Sequence, residues 1–345
     1  MTGQVLEVRN LSKLFGQVRA VDDLSFAVAP GRVTGFLGPN GAGKTTTMRC
    51  LLGLVAPTSG EVLVGGRRYR DLDEPLRTVG AVLESSSFHP GRSARHHLRY
   101  LAEAIGAGSA RVGEVIEMVG MQEYAGRRVG GFSLGMRQRL GLAQAMLGDP
   151  SVLLLDEPAN GLDPGGVAWL RGFLRALAAE GRTVLVSSHV LGEVQQTADD
   201  IVLLARGRLV TLGALADLEA AQSSVLVRSS HRDRLADLLR SAGPGSASPA
   251  GPGSASPAGP GPEPVGPDGL QVSGWSTDEV GRLAHREGVE VLELSNQPGA
   301  LERLFLQLTG EGAVPPDGVA PGAAGAPPTP SPSPPAGQAP GDGPW

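Results

Sequence analysis

The sequence predicts an α/β fold built around a phosphate-binding loop, followed by a smaller α/β or α+β domain. Three observations carry that reading. Residues Gly38 to Thr46 read Gly-Pro-Asn-Gly-Ala-Gly-Lys-Thr-Thr, a Gly-x-x-x-x-Gly-Lys-Thr motif set between an apolar strand pattern (Val33, Phe36, Leu37) and a helical one (Met48, Leu51, Leu52, Leu54). A second apolar strand, Val152 to Leu155, ends in Asp156, Glu157 and Pro158. Strand-like and helical runs alternate from Val5 to about Ala221, the order that produces a largely parallel sheet.

The first element to justify is the loop. Gly38, Gly41 and Gly43 let the backbone turn tightly enough for successive N–H groups to surround phosphate oxygens, and the next helix presents its positive end to them. Pro39, Asn40, Ala42 and Thr46 complete the cradle. In such a loop Lys44 reaches the β- and γ-phosphates and the Thr45 hydroxyl ligates Mg²⁺. Lys13 and Lys44 are the only lysines in the chain, so a compact point charge stands here where arginine supplies the other basic side chains. At the second strand, two carboxylates stand where open α/β sheets bind ligands. Asp156 suits Mg²⁺ held through its water shell, and Glu157, facing differently, suits orienting and deprotonating a water.

A chain of 345 residues has room for two domains and a sizeable core. Its formal charge of −5 argues against a nucleic-acid binder relying on a basic face, and no nucleic-acid partner is expected. With Cys50 as the only cysteine, no intramolecular disulfide can form, which fits a reducing compartment. Met1 to Arg9 lacks the continuous apolar core of a signal peptide, and no stretch approaches the apolar length that spans a bilayer. The expectation is a cytoplasmic protein whose membrane role, if it has one, needs a separate partner.

The first domain is expected over residues 1–220, with a mainly helical subdomain at about 85–149 (Ser93 to Ile105, Ala110 to Met118, and a helix from near Gly135). An accessory domain is expected over 221–311. It comprises strands Val225 to Val227, Leu270 to Val272 and Val289 to Leu294, and helices His231 to Arg240, Asp278 to His285 and Leu301 to Leu308. Between Gly243 and Asp268 it is interrupted by a Pro-, Gly-, Ser- and Ala-rich insertion that repeats Gly-Pro-Gly-Ser-Ala-Ser-Pro-Ala at 243–250 and 251–258. So few apolar side chains cannot offset ordering entropy, so a disordered surface insertion is expected there, and a similar tail over 312–345.

Ahead of the helix near Gly135 stands Phe132-Ser133-Leu134-Gly135-Met136-Arg137-Gln138-Arg139-Leu140. Here the chain resembles the ATP-binding-cassette (ABC) ATPases, whose signature is Leu-Ser-Gly-Gly-Gln. Leu134 replaces the first signature glycine and Met136 the glutamine, while Ser133 and Gly135 keep their places. The likeness continues with a D-loop, Asn160-Gly161-Leu162-Asp163, and an H-loop histidine in Ser187-Ser188-His189, placed to hydrogen-bond the γ-phosphate. Phe15 matches the aromatic that stacks on adenine in this family, although a lone phenylalanine serves equally as core packing. The Q-loop position holds Glu84 in place of glutamine, which adds negative charge near Mg²⁺ and the γ-phosphate.

The resemblance covers roughly residues 4 to 220 and implies two nucleotide-binding domains meeting head to tail, as a homodimer or heterodimer, with ATP and Mg²⁺ between them. With one phosphate-binding loop and one signature, the chain resembles half of such a pair. The altered signature, Glu84 and the small carboxy-terminal domain resemble exporter ATPases of bacitracin and daunorubicin resistance, which work with a separate transmembrane permease at the inner face of the membrane. Lys44, Glu157 and His189 are then the expected catalytic residues, and Ser133, Gly135 and Asp163 join the nucleotide-binding set. The alternative is a soluble ABC ATPase acting on ribosomes or nucleic acid. Such proteins carry two cassettes with a charged helical linker, or long coiled coils, and this chain has neither. A GTPase would need Asn-Lys-x-Asp, and neither lysine follows an asparagine.

Overall fold

The computed structural model describes residues 3–83, 88–220, 224–243 and 261–297, together with Leu301, Phe305 and Leu308. In chain order the first domain runs β1 (Leu6–Phe15), β2 (Val18–Val28), β3 (Val33–Leu37), α1 (Lys44–Leu51), β4 (Ser59–Val64), α2 (Pro75–Thr78), β5 (Val79–Val82), α3 (Ala94–Ala104), α4 (Ser109–Met118) and α5 (Leu134–Ala145). It continues with β6 (Val152–Leu155), α6 (Pro164–Ala179), β7 (Thr183–Ser188), α7 (Leu191–Thr197), β8 (Asp200–Ala205), β9 (Arg208–Ala214) and α8 (Leu215–Ala220).

The expected parallel sheet has the order β5-β6-β7-β3-β8-β9, with only the edge pair β8 and β9 antiparallel. Its central strands are apolar runs because helices cover both faces: every residue of β3 and β6 is buried. A second sheet, β2-β1-β4, is antiparallel and was not foreseen by the sequence reading. Alternating burial along β2 turns Val21, Leu24, Phe26 and Val28 onto a core shared with Phe36, Met48 and Leu51, so this sheet clamps α1 against the parallel sheet. The helices α3 to α5 pack with Leu98, Val115, Ile116, Met121 and Leu140 in a core continuous with one side of the parallel sheet.

The smaller domain is β10 (Ser224–Arg228), α9 (Arg232–Ala242), β11 (Glu263–Val265), β12 (Gly269–Ser273), α10 (Thr277–Arg286) and β13 (Glu293–Gln297). Its strand order β11-β12-β10-β13 is antiparallel throughout, a split βαββαβ arrangement, which decides for α+β between the two classes expected. Val225, Val227, Leu235, Leu239, Trp275 and Val280 fill its core.

Three expected boundaries change. Glu263–Val265 is a strand paired with β12, so the expected insertion at 243–268 ends earlier; 244–260 lie outside the described residues. The last strand is Glu293–Gln297, not Val289 to Leu294: its pairing with β10 fixes that register, and Val289 packs in the core ahead of it. Leu301 and Phe305 join the core of the first domain, with Leu308 against it, so the expected final helix does not belong to the accessory core. The tail at 312–345 lies outside the described residues.

Candidate functional site

Parallel pairing assembles the site. In β6-β7-β3, Leu155 is level with Val186 and Leu37 with Ser188, so the segments leaving the carboxyl ends of three adjacent strands meet. They carry the glycine-rich loop, the Asp156-Glu157 pair and Ser187 to His189. Gly43 begins α1 at φ +104, and a Cβ there would lie 2.6 Å from the Ala20 carbonyl oxygen, so only glycine fits. The β8–β9 turn, Arg206-Gly207, has positive φ at both residues, as a two-residue hairpin turn requires. Its tip docks on the loop: the Gly207 N–H donates to Ala42 O at 3.1 Å and the Asp22 N–H to Gly207 O at 2.9 Å.

Lys44 is nearly enclosed, and its Nζ donates to Gly38 O at 2.6 Å and Pro39 O at 3.3 Å while lying 3.3 Å from Glu157 Oε1. Glu157 Oε2 is 2.8 Å from His189 Nδ1, so one carboxylate joins the lysine to the histidine. Glu157 itself sits at φ +50, a left-handed conformation that costs a non-glycine residue about 1–3 kcal/mol and re-aims its side chain from the strand end. Thr45 Oγ1 donates to Asp156 Oδ2 at 2.6 Å. The residue that sequence reasoning missed is Ser187. Its fully buried hydroxyl donates to Asp156 Oδ1 at 2.5 Å and accepts from the Glu157 N–H at 2.8 Å, so one oxygen fixes both acids. A serine ending an apolar strand carries no signal beyond its place two residues before His189.

This arrangement can cradle phosphate oxygens with backbone N–H groups and a lysine, and can present a carboxylate to a water beside them. Among the described residues no cluster of three or more His, Cys, Asp or Glu side chains could hold a metal alone. The touching Thr45 hydroxyl and Asp156 carboxylate do fit Mg²⁺, which takes one or two hard oxygen donors and keeps its remaining positions for water and phosphate. Glu84, expected beside them, lies outside the described residues. Asp22, at the hairpin dock, is held below the usual carboxylate range by hydrogen bonds from Arg19 and Arg208, at 2.6 and 2.7 Å.

Of the remaining expected residues, Asn40 and Gly41 are exposed, Gly38 and Ala42 are buried, and Pro39 and Thr46 are half-buried. Phe15 is 49% exposed at the end of β1, so core packing is not its role. Ser133, Gly135 and Asp163 gather separately, lining a cleft of about 290 Å³ with Arg139, Leu162 and Trp169. Ser133 caps α5 by accepting from the Met136 N–H at 3.3 Å, and Asp163 caps α6 by accepting from the Gly166 N–H at 3.0 Å. Leu134, the departure in the signature, packs over Gly161, so a side chain at that position would have to push it aside.

Residues 21–160 match the family model described as ABC transporter, and residues 223–302 match a domain of unknown function. The bacitracin transport ATP-binding protein BcrA of Bacillus licheniformis is 42% identical over 209 residues, 60% of this chain and 68% of that protein. The lantibiotic transport ATP-binding protein SrtF of Streptococcus pyogenes is 36% identical over 60% of this chain and 89% of its own. A solved ATP-binding subunit of an ABC transporter is similar with a TM-score of 0.57 at 29% identity, covering 62% of this chain and 92% of that one. A dimeric cassette solved with ADP and Pi shares the fold, with a TM-score of 0.56 at 24% identity over 61% and 98% of the two chains.

Proposed function

This chain belongs to the ATP-binding subunits of ABC transporters, which are ATPases, and from that premise we propose that it energises an exporter of antibiotic-like compounds. The observation that carries the mechanism is the continuous contact from Thr45 through Asp156 and Ser187 to Glu157, Lys44 and His189. ATP lies with its phosphates in the loop from Gly38 to Thr46. Lys44 exchanges its contacts with Gly38 O, Pro39 O and Glu157 for the β- and γ-phosphates. Glu157, freed from the lysine and steadied by His189, accepts the proton of the water that attacks the γ-phosphate. His189 turns to the γ-phosphate as the bond breaks. Thr45 and Asp156 would hold Mg²⁺, whose charge offsets that of the phosphates.

The second cluster, Ser133, Gly135 and Asp163, serves the ATP of a partner cassette in a head-to-tail homodimer or heterodimer, Ser133 and the start of α5 facing its γ-phosphate. Closing and opening of that pair moves a separate permease. A groove of about 530 Å³ between α1 and the helical subdomain, lined by Leu52, Leu54, Leu83, Phe88 and Leu101, suits a cytoplasmic helix of the permease. Leu54 is 66% exposed, an apolar side chain that such a helix would cover. No helix among the described residues is long and apolar enough to cross a membrane; in this reading the protein acts as a peripheral subunit at the inner face, through the permease. Bacitracin and lantibiotics, named for the relatives, support peptide antibiotics as the cargo class.

The test is reconstitution with a candidate transmembrane permease. Candidate peptide antibiotics should stimulate ATP turnover in proteoliposomes and be moved outward. Turnover that depends on no permease and no cargo would remove the exporter assignment.

A further inference from the structure

Lys13 is the chain's second lysine, and nothing in the mechanism above uses it. It stands two residues before Phe15 on β1. Its Nζ lies 4.8 Å from the Phe15 ring centroid and donates to Ala56 O at 2.9 Å. Ala56 follows a backbone hook onto the phosphate-loop helix, since the N–H groups of Leu54 and Val55 both donate to Arg49 O, at 2.9 and 3.2 Å. The same loop is tied to β1 twice more: Thr58 N–H donates to Ser12 O at 2.8 Å, and Leu14 N–H to Thr58 Oγ1 at 3.0 Å. The end of β1 is therefore registered to α1.

Phe15 pairs with Val18, two residues before Ala20, whose carbonyl closes on Gly43. Two strand residues span roughly 6–7 Å, so the ring stands about one sugar's reach from the phosphate loop. The ring stands beside a strand turn, next to a glycine at φ +57, and is half exposed.

Resting on the reading that ATP occupies this loop, we infer that Lys13 is a positioning residue for the base. It sits on the inner face of the Phe15 ring, anchored to Ala56, and leaves the outer face open to stack on adenine. A fixed cation behind the ring attracts its π-face and removes the cost of ordering it when the base arrives. Lysine serves better than arginine because a single point charge can face the ring and a carbonyl together, where a planar guanidinium would lie flat on the ring.

The experiment compares Lys13→Met, which keeps the stem length, with Phe15→Ala and the double variant, in the full chain. Binding of ATP and of inorganic triphosphate is measured for each. Lys13→Met should weaken ATP about two- to fivefold, the affinity equivalent of an exposed cation–π contact. Phe15→Ala should weaken it about tenfold or more, as loss of base stacking does, and the double variant no more than Phe15→Ala. Triphosphate, which has no base, should bind all four proteins alike and so reports that the loop is intact. If Phe15→Ala costs nothing, the base is not on Phe15 and the role of Lys13 falls with it, while ATP in the loop is overturned only if the parent protein binds neither ATP nor triphosphate. If Phe15→Ala weakens ATP but Lys13→Met leaves it unchanged, tightens it, adds its own loss in the double variant or weakens triphosphate equally, the role of Lys13 alone is overturned.

Discussion

The two halves of the proposed nucleotide site are built in opposite ways. Around the phosphate loop each acidic or basic group has at least one polar partner, Ser187 is fully buried, and Lys44 is 6% exposed. Around the signature, Ser133 and Asp163 are exposed, and each caps only the start of its own helix. A phosphate loop must hold several like-charged oxygens alone, so its groups are fixed before ligand arrives. A half-site that acts only against another subunit needs surface and a helix end, and can tolerate Leu134 and Met136 where the signature Leu-Ser-Gly-Gly-Gln has glycine and glutamine.

The change that separates the halves most is Glu157→Gln. Losing the proton acceptor should lower turnover by about 10²- to 10⁴-fold while ATP still binds and the protein accumulates as a pair. Single-turnover hydrolysis and sizing chromatography measure both, and parental turnover would remove the assignment. Next comes Ser187→Ala, which strips one buried oxygen from both acids. It should cost about 1–3 kcal/mol of stability, and turnover should fall with a smaller change in ATP affinity. Denaturant melts beside steady-state kinetics would detect it, and an unchanged kcat would mean that the acids hold themselves.

On the signature side, Ser133→Ala removes a helix cap worth about 1 kcal/mol. ATP binding by the lone chain should not change, whereas ATP-driven pairing of the Glu157→Gln protein should weaken roughly fivefold, read by analytical ultracentrifugation. A loss of ATP affinity in the lone chain would show that the two halves are not separate.

The smallest effect concerns Asp22, which holds the hairpin on the loop. Its folded-state pKa lies below the ordinary value of 3.8, so its stabilising contribution is full above that value and is lost as pH falls through the folded one. Asp22→Asn should therefore flatten the drop in Tm at acid pH and lower Tm slightly near neutrality. A parallel Tm–pH curve would locate acid sensitivity elsewhere.

What could be read in advance follows the same division. Lys44, Thr45, Asp156 and Glu157, which the structure brings into contact in pairs, could be picked out as candidates because a phosphate-loop motif ties residue type to spacing. Ser187 could not, because its role depends on two strands being neighbours, and one sequence does not report which strands are. The accessory domain was legible as elements but not in register: Val289 and Val291 alternate like a strand, yet pairing with β10 begins at Glu293. Leu301, Phe305 and Leu308 repeat with helical spacing, which marks a buried face without naming the core that receives it.

That last face has a bearing on how the protein is made. Because Leu301 and Phe305 fill the interior of the first domain, that domain is finished only by residues that follow the accessory domain in the chain. Its hydrophobic interior stays one aromatic short until the chain has passed the last accessory strand, which ends at Gln297. A gene cut after residue 220 would encode every chemical motif and still yield a cassette with a void, of the kind that costs about 3–5 kcal/mol when a buried phenylalanine is removed.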